Sequence, residues 1–222
     1  MNHTEIIQYL IDKNNYKTYL EIGVTGGNNF NIIRCNEKES CDIVTEDERA
    51  NTNYEGNITY LMTSDEMFAK MPTDKKYDII FIDGLHDEEY VDRDIINSLK
   101  HLNKDGVICV HDTLPCYDIA QTDYNIYFNH KDEVVIWNGT TWKAITKLQD
   151  NNIEFYTVDN GDFGLTIIKY KDNPQQLQPP TYLSKLRYEY VFNHTYDHNT
   201  NITNQGKFIL HVITEEQFKE LF

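Results

Sequence analysis

The sequence predicts an α/β fold, a doubly wound and mostly parallel sheet covered on both faces, and three observations carry that expectation. From Tyr19 onward the apolar runs are short and evenly spaced: Tyr19–Val24, Asp42–Thr45, Ile58–Met62, Tyr77–Ile82 and Val107–Val110. Strands buried on two faces read as near-continuous runs of this kind. Between them lie helical segments, the clearest being Asp87–Leu102, where Val91, Ile95, Leu99 and Leu102 share one face at spacings of four, four and three. Alternation of strand and helix winds a parallel sheet. The pattern then closes on Ile153–Val158 and Phe163–Tyr170, whose short link Asp159–Asp162 predicts an antiparallel hairpin.

The remaining segments follow in order. Met1–Lys13, with Ile6, Ile7, Tyr9 and Leu10 broken by Glu5, Gln8 and Asp12, predicts a short amphipathic helix. Thr113–Lys131 is long and aromatic (Tyr117, Tyr124, Tyr127, Phe128) and has no clear period, the character of a functional lid or a disordered loop. A helix is expected at Thr141–Leu148 and a linker at Pro174–Pro180, then a helical tail with Leu186, Tyr190, Val191, Phe218 and Leu221. The chain divides at residues 172 and 173 into a main domain with its N-terminal helix and a C-terminal extension packed on it, either a homodimer arm or a substrate cover.

Composition narrows the function. The 222 residues suit one domain, and 40% hydrophobic content supplies a core. Lys and Arg number 20 against 36 Asp and Glu, a net charge of −16. That balance argues against a nucleic acid or an anionic membrane surface as partner, because both need a basic footprint. Cys35, Cys41, Cys109 and Cys116 form no C-x-x-C pair and read as reduced thiols. With no secretory or membrane-spanning pattern, the expected location is the cytoplasm. The Asn, Lys and Ile bias suits an AT-rich bacterial or viral genome, the host cytoplasm being the viral case.

Ligands of doubly wound sheets bind beyond the carboxyl ends of the strands, and four motifs lie there. Glu21-Ile22-Gly23-Val24-Thr25-Gly26-Gly27-Asn28 takes the first strand into a Gly-rich turn and a helix start. Its spacing does not fit G-x-G-x-x-G; Glu21 would repel a pyrophosphate and suits a cationic ligand. Glu46 follows the second run at the position where acids hold ribose hydroxyls. Ser64 and Asp65 end the third run, Ser64 also serving as a helix cap. Most informative are Ile82-Asp83-Gly84-Leu85-His86 and Val110-His111-Asp112-Thr113: adjacent strand ends each deliver an Asp and a His to one rim. Such a set can bind a divalent cation or supply a base.

Together these motifs resemble class I S-adenosylmethionine-dependent methyltransferases, and more narrowly the branch with I-D-G-x-H and H-D signatures, the methyltransferase domain 24 type. Trp137-Asn138-Gly139, Trp142-Lys143-Ala144 and Tyr156-Thr157-Val158-Asp159 also resemble that branch. The resemblance spans roughly residues 17 to 170 and implies a Rossmann-like, seven-stranded sheet. It implies S-adenosyl-L-methionine as cofactor, held by Glu21, Gly23, Gly26, Gly27, Glu46, Ser64, Asp65 and Asp83. It also implies catalytic roles for Asp83, His86 and His111, with Mg²⁺ or Mn²⁺ held by Asp83, His111 and Asp112.

The implied reaction is O-methylation of a sugar, glycan or small-molecule hydroxyl, with His86 or His111 accepting the proton. For the aromatic loop and Trp137/Trp142 two readings stand, core or lid packing, which is the commoner use of aromatics at such spacing, and stacking on a sugar face. Two alternatives stand beside this expectation: an iron-dependent hydroxylase, since Asp and His ligands also support oxygen chemistry, and a cofactor-binding protein of the same fold without turnover.

Overall fold

The computed structural model describes residues 1–43, 58–116, 118–130, 136–169, 207 and 209–222. Expectations placed on Glu46, Tyr117, the Pro174–Pro180 linker, and Leu186, Tyr190 and Val191 lie outside the described residues, as does the boundary at 172.

The chain opens with α1, His3–Asn14, which starts where Asn2 and Glu5 form a reciprocal capping box and stops where Asn15 takes a left-handed conformation (φ 56°). Five strands follow: β1 Thr18–Ile22, β2 Glu37–Asp42, β3 Tyr60–Leu61, β4 Tyr77–Ile82 and β5 Leu102–His111. Helices α2, Ser64–Lys70, and α3, Glu88–Lys100, precede β4 and β5. Then come α4, Tyr124–His130, α5, Thr141–Thr146, and strands β6, Phe155–Val158, and β7, Leu165–Lys169; β8, Val212–Ile213, and α6, Glu215–Leu221, end the chain.

The strands form one sheet in the order β3-β2-β1-β4-β5-β7-β6-β8, in which β7 alone runs antiparallel to its neighbours. Strand order reverses between β1 and β4, so a crevice opens beyond their carboxyl ends. The eighth strand exceeds the seven expected. It comes from the C-terminal segment, which pairs Val212 with Thr157 and buries Leu210 and Phe218 rather than ending in helix alone.

Strand alternation sorts side chains onto two faces. Ile80, Ile82, Ile108 and Val110 meet Met67 of α2, Val91 and Ile95 of α3 and Ile145 of α5. Ile79, Phe81, Val107 and Cys109 meet Ile6, Ile7 and Leu10 of α1 and Phe218 of α6. His111, two residues beyond Cys109, falls on the α1 side, where its ring lies 4.4 Å from that of His3. That parity matters for the site.

Four local expectations are corrected. β2 ends at Asp42 rather than starting there. Its polar residues are satisfied laterally, Glu39 taking an ion pair from Lys75 (2.9 Å) and a hydrogen bond from Tyr77 (2.5 Å), so the strand carries no apolar run. The Gly-rich turn leads into successive turns through residue 32 rather than a helix. Thr63, not Ser64, caps α2, in a capping box with Glu66. The aromatic stretch contains a short 3₁₀ turn at Asp118–Gln121 and α4, whose start is held by Asp123 accepting from the Ile126 N–H (3.1 Å) and Asp87 from that of Tyr124 (3.0 Å). Among the described residues no helix is long and apolar enough to cross a membrane.

Candidate active site

Two adjoining hollows open beyond the strand ends. The first, a cleft of about 350 Å³, lies over β1, β2, β3 and β4, within the size range of small-molecule sites. Gly23 forms its floor at φ +86°, and a Cβ there would lie 2.0 Å from the Asp83 carbonyl oxygen. β1 and β4 can close on each other only with glycine at this position. The Gly23 and Asp83 N–H groups complete the floor by donating to the Cys41 and Ile22 carbonyls, each at 2.9 Å.

Charge gives this cleft its chemistry. Asp42, Asp65, Asp83 and Asp94 line it, and among the described lining residues there is no Lys or Arg. Asp42 accepts from the Thr25 N–H (2.6 Å), which ties the end of β2 to the turn after β1. Burial pushes the Asp94 carboxyl up to about 7, against a hydrogen bond from Ser64 that lowers it. A dinucleotide pyrophosphate would meet only negative charge here, whereas a ligand of net positive charge is matched. The sulfonium and amino groups of S-adenosylmethionine outweigh its carboxylate, so the residues present fit that cofactor.

The sequence-expected cofactor residues divide accordingly. Gly23, Ser64, Asp65 and Asp83 lie on the cleft wall, while Glu21, Gly26 and Gly27 do not. Glu21 is 1% exposed and accepts hydrogen bonds from Tyr19 and from Asn29 (2.8 Å). Burial raises its carboxyl to about 8 despite those donors, so it props the turn from beneath rather than facing a cation. Gly27 turns the chain at φ +70° and donates to the Val24 carbonyl (2.8 Å). Asp42 is a wall residue that sequence reading missed; the signal was its place at the end of a polar strand, one residue past the buried Cys41.

The second hollow shares Thr25, Asp83 and Gly84 with the first and adds His86, His111, Asp112 and Trp137. Asp83 Oδ1 lies 3.3 Å from His111 Nδ1 and 3.5 Å from His86 Nε2. Asp112 Oδ2 lies 3.2 Å from His86 Nδ1 and 3.6 Å from His111 Nδ1. Asp112 itself takes φ 58°, which swings its carboxylate back under the rim, where Asn138 donates to it. Burial favours the neutral Asp83 carboxyl, but hydrogen bonds from His111 and then His86 outweigh it and hold the group well below the usual carboxylate range. For Asp112 burial wins, and its carboxyl is raised. Both imidazoles are pushed down by burial and up, by more, by these carboxylates: His86 is raised, and His111 reaches about 9.

Asp83, His86 and Asp112 each present a ligand atom within 4.8 Å of the others. His111, the remaining residue of the expected metal set, is grouped with His3 and Asp162 while its Nδ1 stays beside Asp83 and Asp112. The reason lies in the His111 ring, whose Nε2 sits 2.9 Å from the Asp162 carbonyl oxygen and joins a separate group with His3. Asn138 was also missed as a site residue. The Trp-Asn-Gly motif places it: Gly139 (φ +63°) packs so closely that a Cβ would lie 2.0 Å from the His86 carbonyl oxygen, to which Thr140 N–H donates (2.7 Å). Trp137 stacks with His86 (centroids 5.1 Å) and Tyr127 (4.7 Å). Trp142 is fully buried and packs in the core, the first of its two expected readings, rather than lining the hollow.

Comparison with known proteins bears on the fold and on residues 20–113. Residues 20–113 match the family described as Methyltransferase domain. No curated protein matches the chain in sequence. Among solved structures, a Staphylococcus aureus protein assigned as a caffeoyl-CoA O-methyltransferase is 21% identical, with TM-score 0.52 over 75% of this chain and 82% of that one. An O-methyltransferase from Bacillus cereus in complex with SAH is 15% identical, with TM-score 0.51 over 76% and 80%. Cofactor-bound Rv0187 from MTB is 12% identical, with TM-score 0.55 over 77% and 80%. At these identities the likeness to solved structures is one of fold, and residues 20–113, less than half of the 222-residue chain, are similar to the methyltransferase domain family.

Proposed function

We propose that this chain O-methylates a hydroxyl of a sugar, glycan or other small molecule, assisted by a divalent cation such as Mg²⁺ or Mn²⁺. The observation that carries the reading is the Asp83–His86–Asp112 group in the hollow that shares Asp83 with the cofactor cleft. Methyl transfer is an in-line displacement, so acceptor oxygen and methyl carbon must be held against each other and the hydroxyl proton removed.

S-adenosylmethionine supplies an electrophilic methyl group when bound. Asp42 stands where a strand-end acid would hold the ribose hydroxyls, with Ser64, Asp65 and Tyr90 around the far end of the cleft. A cation on Asp83, His86 and Asp112 would lower the acceptor's pKa, as catalytic metals lower that of water from about 15.7 to about 7. Against burial, the carboxylates of Asp83, Asp112 and Asp162 raise His111 to about 9, so it would stand protonated and hold Asp83 in place, leaving the cation to make the acceptor's proton labile. Trp137 walls the hollow beside Asn138, and the exposed Tyr124 and Phe128 of α4 extend an aromatic surface from it. The net charge of −16 favours a small acceptor over a nucleic acid.

The test is calorimetric titration with S-adenosylmethionine and S-adenosylhomocysteine, with and without Mg²⁺ or Mn²⁺. Transfer of labelled methyl to a panel of sugars, glycans and small hydroxyl compounds follows, in the presence and absence of chelator. Cofactor binding with metal-dependent transfer to a hydroxyl supports the reading. Transfer indifferent both to chelation and to Asp83→Asn would overturn the metal-assisted form, and no cofactor binding would overturn the whole.

A further inference from the structure

We propose that His3, His111 and Asp162 form a second cation site, suited to Zn²⁺ and separate from the Asp83–His86–Asp112 group. Three distant stretches of chain converge there: the first residue of α1, the last of β5 and the turn between β6 and β7. Their donor atoms all lie within 4.8 Å of one another. His3 Nδ1 is 2.5 Å from Asp162 Oδ2, and His111 Nε2 is 3.9 Å from the same oxygen.

Each ligand is positioned by something other than a metal. Strand parity puts His111 on the α1 side of the sheet. The His3 N–H, at the start of α1, donates to Asp162 Oδ2 (3.1 Å) and so orients the carboxylate. The turn is held by the Asn160 side chain, which accepts from the N–H groups of Asp162 (3.1 Å) and Gly164 (3.2 Å).

The donor set selects the ion. Two imidazole nitrogens and one carboxylate oxygen match the three-protein-ligand sites of Zn²⁺, whereas Mg²⁺ and Ca²⁺ prefer oxygen. A second observation agrees. Zinc-bound imidazoles habitually donate their other N–H to a carboxylate, and the other nitrogen of His111 faces Asp83 Oδ1 at 3.3 Å. One ring thus serves both centres, Nε2 toward the new site and Nδ1 toward the methyltransferase hollow. Zinc would displace the proton between His3 and Asp162 and the one His111 shares with the Asp162 carbonyl. Ligand bonds of about 2.0 Å at tetrahedral angles would open the His3–Asp162 contact to about 3.3 Å.

The experiment uses the full chain stripped with chelator and titrated with Zn²⁺ and Co²⁺, read by calorimetry and by visible absorption. The wild type is compared with His3→Gln and Asp162→Asn, which remove ligands of the second site, and with His86→Gln, which removes one of the first. The expected result is the intense visible band of four-coordinate Co²⁺ in the wild type and in His86→Gln. His3→Gln and Asp162→Asn should lose that band and bind zinc at least about ten-fold more weakly. Anomalous scattering at the zinc edge from wild-type crystals locates the ion without any variant. A peak among His3, His111 and Asp162 supports the site. A peak only at Asp83, His86 and Asp112, or none at saturating zinc, overturns it, as does an unchanged Co²⁺ spectrum in folded His3→Gln.

Discussion

Asp83 and His111 stand 28 residues apart in the chain, yet the carboxylate oxygen of one lies 3.3 Å from the ring nitrogen of the other. Parallel pairing of β4 with β5 sets Ile82 beside Val110, so the residue after each strand position reaches the same rim. Asp83→Asn keeps the shape and removes the charge that holds both imidazoles. Methyl transfer should fall by about 10²- to 10⁴-fold, the usual range for losing acid–base assistance, while cofactor affinity falls much less. Single-turnover rates set against calorimetric affinities would check this split.

Asp42 is expected to be the anionic anchor of the cofactor at the end of β2. Removing a charged hydrogen-bond partner typically costs about 1.5–3 kcal/mol, so Asp42→Asn should weaken binding by roughly 10- to 150-fold. Titration with S-adenosylhomocysteine measures it, and an unchanged affinity would remove Asp42 from the site.

Gly23→Ala should destabilise the fold before it touches catalysis. The backbone is at φ +86° and the added carbon would sit 2.0 Å from a carbonyl oxygen. The conformation alone costs about 1–3 kcal/mol for a non-glycine residue, and the clash adds to it. A denaturant midpoint equal to that of the wild type would contradict the tight β1–β4 closure.

Glu21 ties stability to pH. Burial raises its carboxyl from 4.5 to about 8 in the folded chain. A raised acid favours folding fully below its unfolded value and loses that contribution as pH rises through the folded one. The stability of the wild type relative to Glu21→Gln should therefore decline between pH 4.5 and about 8, by an amount on the order of a few kcal/mol, and level off above. Paired urea melts across that range test the sign.

Phe218 measures how far the last segment belongs to the fold. It is fully buried beside Ile7 and Leu10 of α1 and the β-sheet. Phe218→Ala should cost about 3–5 kcal/mol, as for other buried aromatics, and a loss under about 1 kcal/mol would mean that α6 packs only loosely.

The sequence by itself determined the sheet class, the strands β1, β4 and β5, the amphipathic α3 and the strand-end placement of Asp83, His86, His111 and Asp112. These are local signals, periodicity and the residue that follows an apolar run, and no partner is needed to read them. It also showed that the turn does not carry the dinucleotide-binding fingerprint, because the glycine spacing is wrong. The position of β2, the eighth strand and the roles of Glu21 and Trp142 were decided only in three dimensions. Glu39 finds its partners Lys75 and Tyr77 far along the chain, β8 arrives from the C-terminal segment, and Glu21 meets Asn29 only once the turn after β1 folds back over it. The same holds for the way the two histidines are grouped. Sequence puts both histidines at the rim, but only the packing of α1 and the β6–β7 turn against β5 supplies Asp162 and His3, which take the far side of the His111 ring.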